Sequence, residues 1–101
     1  MNKGLFNEND HICYLCHTWN YELDQHHLLT GTRHRKLADE DGLFIYICRK
    51  CHTKLHSSIH YIDKLEELKR MAQRKYEETH TRDEFIKRYK KSYLWYNSFK
   101  N

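Results

Sequence analysis

The spacing of apolar positions divides the chain into two kinds of segment. Tyr21–Leu29 and Leu43-Phe44-Ile45-Tyr46-Ile47 are short runs rich in Leu, Ile and aromatic residues, the pattern of strands. The second run leads directly into Cys48, and a short helix is expected from Lys50 to about Ser57. Beyond residue 60 the period lengthens. Leu65, Leu68, Ala72 and Tyr76 form one helical stripe, and Phe85, Ile86, Tyr89, Tyr93 and Tyr96 form a second. Asp63 with Glu66, and Thr81 with Glu84, read as N-cap signatures for these two helices. Aromatics at helical spacing are expected to be core rather than a stacking surface. Thr30–Gly42 is polar and bracketed by Gly31 and Gly42, so it reads as a loop. Residues 1–10 read as a poorly ordered lead-in and His11–Cys16 as a turn.

These elements predict an α+β fold in a single domain over residues 1–101. A small strand–strand–helix module occupies 11–61, and a basic helical extension over 62–97 packs on it as a hairpin. A length of 101 residues excludes a two-lobed enzyme with a cleft between domains.

Composition makes burial alone a weak basis for this fold. The chain has no Val, and Leu, Ile and Phe together number 21. Four Cys and nine His are the alternative source of stability, because bound zinc supplies folding free energy to small domains. The start of the chain has no apolar stretch of the export type, and the longest apolar run is Leu43–Cys48, so no membrane partner and a cytoplasmic location are expected. In a reducing compartment, paired Cys-x-x-Cys motifs point to metal rather than to disulfides.

The net charge of +4 is unevenly placed. Residues 1–60 carry seven Lys or Arg against seven Asp or Glu, whereas residues 61–101 carry eleven against seven. Eight of the nine His lie before residue 61. A histidine-rich, neutral first part is therefore followed by a basic second part.

The most specific motif is Cys13-x-x-Cys16 with Cys48-x-x-Cys51, two knuckles separated by 31 residues that can place four thiolates around one structural Zn²⁺. A redox site is the other reading of a CxxC pair, but two pairs without a βαβ pattern favour zinc. The second motif is histidine. His52 and His56 are four apart and share one face of the expected helix. If the two strands pair, His26 is brought over that helix as a third metal ligand, while His27 points to the other side of the strand and stays available as a base.

At these residues the chain resembles the HNH, or ββα-metal, nuclease family, in its four-cysteine branch. The matching text is Cys13-Tyr14-Leu15-Cys16, Leu23-Asp24-Gln25-His26-His27-Leu28-Leu29 and Tyr46-Ile47-Cys48-Arg49-Lys50-Cys51-His52-Thr53-Lys54-Leu55-His56. Arg35–Leu43 and Ile59-His60-Tyr61 are also similar to small phage-borne members, as is Arg82–Leu94 to their C-terminal tail. The resemblance implies that 11–61 is a zinc-stabilised ββα-metal module. It further implies that His27 is the general base, that His26, His52 and His56 hold a catalytic divalent metal (Mn²⁺, Mg²⁺, Ni²⁺, Co²⁺ or Zn²⁺), and that His60 competes for the last ligand place. The family's middle Asn falls at Leu43 here. His34 is the candidate to orient the base or the loop instead, with an exposed surface residue as the other reading.

Arg33, Arg35 and Lys36, together with Lys87, Arg88, Lys90 and Lys91, are candidate contacts to a DNA backbone; solvated helix faces are the plainer reading. The resemblance thus implies a metal-dependent endonuclease that hydrolyses DNA phosphodiester bonds with low sequence specificity. The alternative is a non-catalytic zinc-stabilised module that binds nucleic acid or protein, such as a phage protein acting on a host defence or recombination system.

Overall fold

The computed structural model describes residues 4–57 and 59–94. Among them the order is β1 (Asp24–His27), α1 (Thr32–Asp41), β2 (Phe44–Ile47), α2 (Arg49–Ser57), a 3-10 turn (Ile59–Tyr61), α3 (Ile62–Tyr76) and α4 (Arg82–Tyr89). The fold is a small α+β one with one antiparallel strand pair and four α-helices among the described residues.

The pairing register sets Asp24 opposite Ile47, Gln25 opposite Tyr46, His26 opposite Ile45 and His27 opposite Phe44. Because side chains alternate along a strand, Asp24 and His26 share one face of β1, and Gln25 and His27 share the other. His26 is buried, as are Ile45 and Ile47. The two isoleucines join Leu28, Leu29, Leu43, Leu55, Leu68, Ala72, Phe85 and Tyr89 in one continuous core.

The expected loop over Thr30–Gly42 is corrected by α1. Arg, Lys, Leu, Ala and Glu are good helix formers, so a sequence with little apolar content still supports a short helix when tertiary contacts hold it. Ala38 supplies such a contact and is fully buried. The two glycines that read as loop punctuation flank the helix. Gly42 takes a left-handed φ of 75° and donates its N–H to the carbonyls of Ala38 and Asp39, the usual reason for glycine after a helix.

The described part of the lead-in, from Gly4 onward, is also tied down rather than loose. Leu5 N–H donates to Gly42 O at 3.0 Å, and the side chain of Asn7 both accepts from Tyr46 N (2.9 Å) and donates to Tyr46 O (3.1 Å). Asn7 thereby satisfies the edge of β2 that β1 leaves open.

At the helix starts the two cap signatures divide. Thr81 and Glu84 form a reciprocal capping box on α4, with bonds of 2.7 and 3.1 Å. Asp63 lies inside the first turn of α3 instead, because the preceding 3-10 turn carries the chain into the helix from Tyr61 without a side-chain cap. There its charge complements the helix dipole. The second aromatic stripe is shorter than its spacing suggests. α4 ends at Tyr89, with Lys90 left-handed at φ 72°, and Ile86 is exposed. Tyr93 is drawn back to α3, where its backbone N–H donates to the fully buried Gln73 at 2.7 Å. Tyr96 lies outside the described residues.

Candidate metal centres and the histidine cavity

The two knuckles converge. The sulfurs of Cys13, Cys16, Cys48 and Cys51 all lie within 4.8 Å of one another. Cys16 and Cys48 are 3.9 Å apart at Sγ. That is far beyond a disulfide bond and close to the edge, about 3.8 Å, of a tetrahedron with 2.3 Å zinc–sulfur bonds. Each knuckle turns its backbone onto the first sulfur: Cys16 N–H approaches Cys13 Sγ at 3.4 Å and Cys51 N–H approaches Cys48 Sγ at 3.5 Å. His17, at φ 61°, closes the first knuckle. The Thr18 hydroxyl, 2.9 Å from Cys16 Sγ, together with the Thr18 backbone, lowers the Cys16 pKa to about 6. Burial, followed by the neighbouring sulfurs, pushes Cys51 up. Four thiolates packed this closely repel one another, and a divalent cation among them removes that conflict, so the donor set fits a structural zinc.

A second cluster is made of imidazoles. Ring nitrogens of His26 on β1 and of His52 and His56 on α2 also lie within 4.8 Å of one another. Strand pairing beside α2 brings them together, since β2 runs directly into the knuckle that opens that helix. His26 is 4% exposed, and desolvation, followed by its neighbouring histidines, pushes its pKa down to about 4. Its imidazole is therefore neutral at pH 7. Three imidazole nitrogens are a donor set that suits a divalent transition ion and would leave further coordination positions open. His60, on the 3-10 turn, is not one of the three that come together; His56 is.

The imidazoles face a cavity of about 330 Å³ lined by Gln25, His26, His27, Thr30, Arg35, His52 and His56. His27 reaches its rim from the opposite face of β1. Its Nε2 lies 3.3 Å from Asp39 Oδ1, to which Gln25 Nε2 also donates at 3.1 Å. A donated Nε2–H would leave Nδ1 as the free acceptor. Beyond His52 and His56 a wider open groove of about 660 Å³ continues past Asp24 and Arg49.

The other sequence-selected residues separate in space. Arg35 and Lys36 line a depression beside His27, with Asp39 and Glu40, and Arg33 is exposed on the same helix. His34 sits on α1 with its ring edge-on to Tyr89, 5.4 Å between centroids, rather than in the histidine cavity. Leu43 is fully buried. On α4 and its end, Lys87, Lys90 and Lys91 are exposed, and Lys91 Nζ lies 4.8 Å from the Tyr93 ring centroid. Arg88 differs from these lysines in being ion-paired. Its guanidinium is engaged by Asp41 at 2.6 Å and Glu40 at 2.9 Å, and Tyr89 OH donates to the same Asp41 carboxylate at 2.6 Å. That cluster joins α4 to the end of α1.

Two carboxylates at the site were not singled out from the sequence. Asp24 accepts from His52 Nδ1 at 2.9 Å and from Arg49 at 2.6 and 3.1 Å, and the arginine is the main cause of its lowered pKa. Its place two residues before His26, on the same strand face, was a usable signal. Asp39 had none, because its meeting with His27 depends on a helix that the pattern did not reveal. No protein-family model matches the chain, and neither the curated proteins nor the solved structures contain a match. No helix among the described residues is long and apolar enough to cross a membrane.

Proposed function

We propose that the protein is a metal-dependent endonuclease of the HNH, ββα-metal, type, hydrolysing DNA phosphodiester bonds with low sequence specificity. One observation carries this reading: ring nitrogens of three histidines come within 4.8 Å of one another while a fourth histidine, His27, lines the same cavity without joining them. A purely structural zinc domain needs the four thiols but has no use for that second constellation. β1, β2 and α2 would form the ββα-metal module around it.

His26, His52 and His56 would hold the ion, which when bound supplies Lewis-acid stabilisation of charge on the scissile phosphate and the departing oxygen. His27 accepts a proton from the attacking water. The water oxygen bonds to phosphorus as the bond to the 3′ oxygen breaks. Asp39 holds the His27 ring, and an imidazole nitrogen within the cavity is a suitable general base. Arg35, which lines both the histidine cavity and the neighbouring depression, offers a guanidinium to the phosphate. Lys36, Lys87, Lys90 and Lys91 supply further charge for backbone contact.

A second reading has its own observation. The place of the family's middle Asn is filled by the fully buried Leu43, and His34 packs on Tyr89. A scaffold that keeps its metals but has lost turnover would bind nucleic acid or a protein without cutting.

Incubation of the zinc-loaded protein with supercoiled plasmid and with single strands separates the two. Cleavage is expected with Mn²⁺, Co²⁺ or Ni²⁺ and much less with Ca²⁺, which prefers oxygen ligands. Binding without cleavage under every one of these metals would favour the second reading.

A further inference from the structure

We infer that Asp24 is the positioning residue of the three-histidine site, fixing His52 so that Nδ1–H is held by the carboxylate and Nε2 is the nitrogen presented to the ion. The inference rests on the reading of His26, His52 and His56 as a metal site.

Strand alternation puts Asp24 beside His26 on the face of β1 that meets α2, so one short strand brings both a ligand and a carboxylate to the same helix. Asp24 Oδ2 lies 2.9 Å from His52 Nδ1 and is 2.6 Å from Arg49 Nε, with the second Arg49 contact at Oδ1. Held between the two, the carboxylate has a set orientation. A neutral imidazole whose Nδ1 carries the donated proton has its lone pair on Nε2. The hydrogen bond prevents the ring from turning and makes the free nitrogen a better donor to a cation. Among the described residues neither His26 nor His56 has a carboxylate on its ring, so this support is particular to His52.

The competing account makes Asp24 a strut that pins α2 to β1 through Arg49. Arg49 is 81% exposed in its side chain, where an ion pair is screened by solvent and contributes little. The two accounts therefore differ in which partner of Asp24 matters.

Calorimetric titration of Co²⁺ into the full chain, with cysteine-held zinc retained and checked by elemental analysis, tests this. Wild type is expected to take up one further ion. Asp24→Ala should weaken that binding by about 10–100-fold. Asp24→Asn, which keeps an oxygen acceptor for Nδ1–H, should recover part of the loss, and Arg49→Ala should stay close to wild type. Zinc content and melting temperature should hold throughout. Should Asp24→Ala lose its zinc, the contrast between Asp24→Asn and Arg49→Ala decides, because the strut account predicts the larger loss in Arg49→Ala. Unchanged affinity in both Asp24 variants, Asn no better than Ala, or Arg49→Ala as damaging as Asp24→Ala would overturn the inference. A wild type that binds no second ion would instead remove the metal-site reading beneath it, before any variant is compared.

Discussion

The four sulfurs and the three imidazoles lie on neighbouring parts of the same short segments, yet they differ in number and in access. Two knuckles bring four thiols together, enough to fill a tetrahedral zinc site with protein atoms alone. The histidine cluster offers three imidazoles, opens onto a cavity, and has a fourth imidazole and a guanidinium on the same rim. A closed set can only hold, whereas an open set leaves room for a water or a phosphate oxygen. The difference is one of ligand number and access, and on the proposed reading the cysteines serve stability and the histidines serve chemistry.

The largest expected effect breaks the comparison on its structural side. Cys48→Ser, or strong chelation, should abolish cooperative thermal unfolding, since zinc binding in a small domain is of the order of 10 kcal/mol of folding free energy. His56→Ala should leave the zinc content and the melt nearly intact. Elemental analysis with circular dichroism melts reads both. A metal-free chain that melts cooperatively at an unchanged temperature would remove the structural role of the thiols.

Next comes the chemical side, where two adjacent histidines on opposite faces of β1 should fail differently. His27→Ala is expected to cut plasmid nicking by about 100–10,000-fold while second-metal affinity stays put. His26→Ala should lose the second metal and the nicking together. Equal metal loss in the two variants would mean that His27 is a ligand rather than a base.

A smaller effect separates the basic residues of α4. Arg88→Ala should destabilise the fold by about 1–3 kcal/mol, because Asp41 and Tyr89 are deprived of a partly buried partner. Replacing Lys87, Lys90 and Lys91 by Ala should leave the melt alone, weaken DNA binding similarly across sequences, and reduce the salt slope by about 0.9 for each phosphate that is no longer neutralised. Salt-dependent binding assays and denaturant melts decide between them. The smallest effect is Thr81→Ala, about 1 kcal/mol from removal of the cap on α4, read by denaturant melts with both metal affinities unchanged.

What was legible in the sequence was the chemistry whose geometry is local. Cys-x-x-Cys is a turn that carries two ligands, His52 and His56 are one helical turn apart, and the Thr81–Glu84 box is complete within four residues. The strand pair was legible too, because apolar runs flank both His26 and Cys48. The helix over Thr32–Asp41 was hidden by its polarity: it is held mainly by Ala38, by Leu37 and by the Arg88–Asp41 cluster, all of which need distant partners. Asp39 was hidden with it. Asp24 stood in plain view, but its importance depends on a bond to His52 across 28 positions of sequence. A run of positive charge does not reveal which of its members, here Arg88, already faces a carboxylate.

The comparison between a closed and an open metal site is tested most directly by measuring nicking while the second site is filled. Zinc-loaded protein is titrated with Mn²⁺, Co²⁺ or Ni²⁺, and the plasmid nicking rate is followed against the number of extra ions bound. The rate should rise in step with occupancy and level off at one extra ion per chain, with the cysteine-held zinc undisturbed. Nicking that is absent at full occupancy, or that proceeds equally well before the second ion binds, would contradict the account.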